Sequence, residues 1–201
     1  MNRTTNMFEP WIRDILLASQ NGDTGAFEKL VETYQGYAFS LARRFLGNQE
    51  DAQDVVQEAF IRVWKHLSAF DYRCKFTTWM YRIVTNLCLD RVKSFKRKGK
   101  ILSSNPTDYA ENLWENVIED IDLEDKSIKE ELAAIITGLA AELTPRQRAV
   151  FVLRDLQDVS IAEAAQILGI SKSSVKSNLC HARQNIRKRL EQLEKKTGVI
   201  K

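Results

Sequence analysis

Apolar residues return every three or four positions along most of this chain, and that spacing restricts it to packed helices. From Phe27 they run Phe27, Leu30, Val31, Tyr34, Ala38, Leu41 and Phe45, which is one face of a helix. Asp23 or Thr24 supplies a cap at its start and Gly47 a stop. A second stripe takes Ala52, Val55, Val56, Ala59, Phe60, Val63, Trp64 and Leu67, and a third takes Met80, Ile83, Val84, Leu87 and Val92. Alternating strand patterns are absent, and only three prolines and eight glycines punctuate 201 residues. Three amphipathic helices with short connections bury one core. The expected fold class is all-α.

The composition shifts after the third helix. "RVKSFKRKGK" at 91–100 is strongly basic, whereas "SSNPTDYAENLWENVIEDIDLED" at 103–125 holds many carboxylates and no lysine or arginine. That acidic stretch, with weak periodicity and one proline, reads as a flexible linker. Periodicity resumes with Ile128, Leu132, Ile135, Ile136, Leu139 and Leu143. The chain thus divides into an N-terminal extension (1–22), a helical domain (23–97), a linker (98–126) and a second small helical domain (127–195). The extension looks helical around "WIRDILLASQ" but carries no motif.

Helix starts crowd the second domain. "TPRQ" sets Thr144 at an N-cap, Pro145 in the first helical position and Gln147 three residues on, a capping box with the favoured proline. "SIAE" repeats the device with Ser160 and Glu163, Gly169 ends that helix, and Ser171 caps the next. Helix, short glycine turn and second helix make a helix-turn-helix pattern. On the second helix Val175, Leu179, Ala182, Ile186 and Leu190 face inward. Ser173, Ser174, Ser177, Cys180, His181 and Gln184 point away, flanked by Lys176, Arg183 and Arg187. Short polar groups approach base edges closely, and flanking cations neutralise phosphates. A basic outer face alone is usually a solvated one, but the adjoining capped helix and turn favour the DNA major groove.

Other chemistries find little support. Cys74, Cys88 and Cys180 lie far apart, and His66 and His181 are the only histidines. Neither a metal site, a disulfide framework nor a catalytic triad is expected, nor any cofactor, so the chain is not expected to be an enzyme. Free thiols suit a reducing cytoplasm, and Cys180 reads as an inert small residue rather than a redox sensor. No signal-peptide pattern and no run of about 18 apolar residues is present. Cytoplasmic location without membrane insertion is expected.

Taken together, "LTPRQRAVFVLRDLQDVSIAEAAQILGISKSSVKSNLCHAR" resembles domain 4 of the extracytoplasmic-function (ECF) sigma factors of bacterial RNA polymerase. "FEKLVETYQGYAFSLARRF", "DAQDVVQEAFIRVWKHL" and "FTTWMYRIVTNLCLDRVKSFKR" resemble their domain 2. The resemblance spans roughly residues 23–190, with the acidic linker where the family has its own. It implies a protein that binds core RNA polymerase through the β′ clamp coiled coil and the β flap. Such a protein directs recognition and melting of promoter DNA, under control of an anti-sigma factor.

By the same resemblance "DVVQEAF" contributes Asp54, Gln57 and Glu58 to polymerase binding, and all three lie off the Val55–Ala59–Trp64 stripe. The minus-10 element would fall to "FDYRCKFTTWMYRIVTN", through Arg73, Lys75, Phe76, Trp79, Arg82 and Asn86. Rings interleaved with cations suit an unstacked base, because rings stack on it while cations follow the backbone. Phe76 and Trp79 fit the core as well as DNA. The minus-35 element would fall to Ser173, Ser174, Lys176, Ser177, Cys180, His181 and Arg183. Here the chain departs from the common pattern, which has glycine and threonine near Ser173–Ser174 and arginines where Asn178 and His181 stand. Base preference should differ accordingly. The linker either imitates nucleic acid in a basic channel or is a plain spacer. The rival reading is a helix-turn-helix regulator that binds duplex DNA without polymerase.

Overall fold

The computed structural model describes residues 10–97 and 138–197. The acidic linker and the apolar positions Ile128, Leu132, Ile135 and Ile136 lie outside the described residues. The first part comprises α1 (Pro10–Gln20), α2 (Thr24–Leu46), α3 (Gln49–His66), a 3-10 turn (Leu67–Ala69) and α4 (Phe76–Arg97). The second comprises a helical turn at 138–142, α5 (Pro145–Phe151) running into a π-helical turn (Val152–Leu156), α6 (Ile161–Leu168) and α7 (Lys172–Thr197). No strand occurs among the described residues, and none of their helices is long and apolar enough to cross a membrane.

Local chemistry sets the helix ends. Asp23 accepts from the Ala26 amide at 2.9 Å to start α2, and Asn48 does the same for Asp51 at 3.0 Å to start α3. Gly47 closes α2 at φ 82°, in the left-handed region open to glycine. Both expected capping boxes form, at Thr144–Gln147 and Ser160–Glu163. Ser171 Oγ accepts from the Ser174 amide at 3.1 Å in the first turn of α7.

The stripes read from the sequence converge as one core. Leu30, Leu41 and Phe45 of α2 meet Ala52, Val55 and Val63 of α3 and Met80 and Val84 of α4, all buried. Trp64 departs from this expectation. It is 38% exposed, its ring resting on Phe27 with centroids 4.7 Å apart, because the stripe widens past what α2 can cover. Within the N-terminal extension, α1 adds Leu16 to the same core.

Far from standing apart, the two helical modules touch. α6 packs on α4, and the π-helical turn packs on α2. Arg148 of α5 lies 5.6 Å from the centroid of the Phe45 ring, and its charge acts on the buried Cys88 thiol of α4, which burial pushes well above its ordinary value. Gln157 Nε2 donates to Ser40 Oγ at 3.1 Å. Residues of both modules belong to one continuous apolar cluster, from Leu16 to Leu179.

Candidate functional site

Three surfaces carry the residues singled out in the sequence. On α3, Asp54 and Gln57 are exposed and Glu58 is half-buried, one helical turn apart on the side away from the core. Asp54 accepts from Arg91 of α4 at 2.9 Å, and Arg91 also holds Asp51 at 2.6 Å. Glu58 pairs with Arg62 at 2.8 Å. The same face holds Ile61, 48% exposed, one turn on from Gln57. The sequence signal for Ile61 is plain in retrospect: it is the apolar residue of α3 that falls outside the periodic stripe.

The second surface is the loop before α4 and that helix's outer side. Arg82 and Asn86 stand exposed one turn apart. Arg73, also exposed, pairs with Asp71 at 2.9 Å. Phe76, which the sequence left open between core and DNA, is 5% exposed, enclosed by Tyr34, Phe70 and Trp79 at centroid distances of 5.0, 5.9 and 5.9 Å. In this arrangement the ring packs in the core rather than standing at the surface. Trp79 is half-buried against Phe70 at 5.2 Å. Lys75 is also committed, since its ammonium donates to Glu163 of α6 at 2.7 Å. In this arrangement that cation is not open to a phosphate.

Burial alone would raise the Glu163 carboxyl. Hydrogen bonds from Lys75 and Ser160, with the Lys75 charge, outweigh it and hold the group below the usual carboxylate range. Tyr81 is pushed up to about 12, chiefly by burial.

The third surface is the outer side of α7. Val175, Leu179, Ala182 and Ile186 are buried, so the helix turns Ser173, Lys176, Ser177, Cys180, His181 and Gln184 to solvent, with Ser174 half-buried. Ser173 and Ser174 share short contacts with Ser171, at 2.8 and 2.9 Å between hydroxyl oxygens. Arg183 is exposed but held by Asp155 of the π-helical turn, its Nε and an Nη donating at 2.8 and 2.6 Å. That bidentate bond fixes the guanidinium at the edge of the face. Gly169, at φ 63°, sets the angle between α6 and α7. An exposed, acid-free helix face presented by a capped partner helix is the geometry that enters a major groove.

Comparison with known proteins agrees with this division. Sigma-70 region 2 matches residues 30–98, and Sigma-70 region 4 matches residues 133–186. The ECF RNA polymerase sigma factor SigW of Bacillus subtilis is 32% identical over 186 residues, covering 92% of this chain and all of that protein. Among solved structures, CnrH in complex with the cytosolic domain of CnrY superposes with a TM-score of 0.61 at 24% identity, over 90% of this chain and 98% of that one. The sigma factor RpoE of Bartonella quintana, in complex with the anti-sigma factor NepR, does so with a TM-score of 0.55 at 16% identity, over 82% and 96%. These two share the fold. With both regions present in order, and a curated relative matched from end to end, the chain belongs to the ECF RNA polymerase sigma factor family.

Proposed function

We propose that this sigma factor docks on core RNA polymerase through the Asp54–Gln57–Glu58 face of α3, extended by Ile61 one turn on. In this reading α4 and the loop before it take the minus-10 element, with Arg82 and Asn86 in contact. The outer face of α7 takes the minus-35 element through Lys176, Ser177, Cys180 and His181, while Ser173, Ser174 and Arg183 shape its start and edge. The module boundaries follow as 23–97 and 127–195, with α1 joined to the first. Polymerase performs the chemistry and the chain is not an enzyme; its place is the cytoplasm, with the template. An anti-sigma factor belongs to the same reading.

One observation carries it. Core packing leaves α3, α4 and α7 each with an exposed polar face, carrying Asp54 and Gln57 on the first, Arg82 and Asn86 on the second, and Lys176, Ser177, Cys180 and His181 on the third. In water alone such faces need no particular side chains. An apolar Ile61 amid carboxylate and amide groups favours a protein partner there, since an interface core wants apolar area ringed by polar contacts. The test is transcription in vitro with core polymerase over a promoter library, using the parent chain and an Asp54→Ala/Gln57→Ala/Glu58→Ala variant. We expect selective initiation from the parent and weakened polymerase binding by the variant, with helicity unchanged. Tight binding to duplex DNA with no initiation at any promoter would favour the helix-turn-helix regulator instead.

A further inference from the structure

Helix α1 carries no motif for DNA or polymerase, yet its last residue reaches into the loop that leads to α4. Gln20 Nε2 donates to the carbonyl oxygens of Leu67 at 2.9 Å and Phe70 at 2.8 Å. Its Oε1 accepts from the Tyr72 hydroxyl at 2.7 Å. One amide therefore joins three points of a loop that lies 47 to 52 residues away in sequence. Two carbonyl partners leave the amide a single orientation, because only its nitrogen can donate to them.

Tyr72 is where the loop is least at ease. Its φ is 60°, in the left-handed region that a side chain with a Cβ rarely adopts and that glycine adopts freely. Such a conformation persists only where its surroundings over-determine it. Here the Tyr72 ring lies 4.9 Å from that of Phe70 while its hydroxyl is held by Gln20. The first contact needs an aromatic ring and the second its hydroxyl, which together account for a tyrosine where glycine would fit the backbone better. Immediately after it come Arg73, Cys74 and Lys75, then the first turn of α4. The direction in which these residues leave the loop is set at Tyr72, and Tyr72 is set by Gln20.

We infer that Gln20 is a positioning residue for minus-10 selectivity: it locks the 67–72 loop so that the loop and α4 present one fixed surface to an extruded base. The inference rests on the reading above, in which that loop faces the minus-10 element. A flexible loop adapts to several bases at similar free energy; a locked one penalises all but the base that fits.

The experiment is in vitro transcription by the full chain with core polymerase on two promoter sets, one varied in the minus-10 element and one in the minus-35 element. Gln20→Met keeps the length and apolar stem of the side chain and removes all three hydrogen bonds. We expect the ratio of initiation from the best minus-10 sequence to its single-base variants to fall by up to about tenfold, the scale of a lost part-buried hydrogen-bonded contact, with minus-35 preference unchanged. Tyr72→Phe should give a smaller fall in the same ratio. The double variant should do no worse than Gln20→Met alone, because the two residues act as a unit. A merely structural role would lower initiation on both sets alike and leave the ratios intact, and that result overturns the inference. If Gln20→Met folds poorly, Tyr72→Phe at the far end of the clamp carries the same comparison. A further arm replaces residues 71–75 by glycine and serine. If that changes minus-10 preference while Gln20→Met does not, the loop reads DNA without the clamp and only the role of Gln20 falls. If neither changes it, the assignment of the loop to the minus-10 element falls as well.

Discussion

The Lys75 ammonium lies 2.7 Å from Glu163 Oε1, tying the loop before α4 to the first turn of α6 across 88 residues of chain. Both side chains are largely shielded from water, at 29% and 28% exposure. Glu163 serves twice, since the same carboxylate completes the capping box with Ser160. A residue expected to face DNA is thereby joined to the helix-turn-helix module.

Loosening that pair should open the seam between the modules. Glu163→Gln keeps an acceptor for the cap and removes the charge. A partly exposed ion pair contributes about 1 kcal/mol or less, so the open population should rise by roughly threefold to fivefold. Cys88, buried beside Arg148, reports opening: its alkylation rate, resolved from Cys74 and Cys180 by mass spectrometry, should rise by that factor. An unchanged rate would mean that apolar packing alone holds the seam.

The same pair predicts a pH dependence. The folded Glu163 carboxyl sits below its ordinary value, so its contribution is full above the ordinary carboxylate range and is lost as pH falls through the lowered one. The difference in Tm between the parent chain and Glu163→Gln should be present at neutral pH and close as the solution is acidified through and below the ordinary carboxylate range. A difference that widens on acidification contradicts the assignment.

Gly169 offers a clean backbone test. A Cβ there meets nothing within 4 Å, but φ is 63°, so the penalty of Gly169→Ala is conformational. It should amount to about 1–2 kcal/mol, lowering Tm by roughly 2–8 °C for a chain of this size. Gly169→Asn, which tolerates the left-handed region, should lose less. Calorimetry of the three proteins decides it.

Lys176 and His181 are both exposed on α7 but should behave differently. Lys176→Ala should weaken binding to all upstream sequences and lower the salt slope by about one. His181→Ala should instead reorder preference among minus-35 variants at similar slope. Titrations of the polymerase-bound protein across salt and sequence separate the two, and identical behaviour would refute the division between phosphate and base contact.

The parts of the fold that were legible beforehand share a physical origin. The Thr144 and Ser160 caps and the Gly47 and Gly169 stops are settled within three or four residues, so their chemistry is written contiguously; between Asp23 and Thr24 the structure chose Asp23. The inward faces of α2, α3 and α4 follow from helix periodicity. Phe76 and Trp64 were less legible, because a stripe gives a direction on a helix but not what stands opposite. Tyr34, Phe70 and Trp79 enclose the first, whereas the second rests on Phe27 of α2 and stays 38% exposed. Nor did anything around Gln20 mark it, since its three partners are distant in sequence and two of them are backbone carbonyls.

By itself the sequence pointed to packed helices, to the caps at Thr144, Ser160 and Ser171, to the stops at Gly47 and Gly169, and to which side of α7 faces outward, since each depends on neighbours one turn away. Only the tertiary structure decided that Lys75 meets Glu163, that Arg148 lies over Phe45 and that Gln20 grips the loop of Tyr72. Contacts between residues so far apart along the chain depend on how whole helices are placed against each other, and no local spacing encodes that placement.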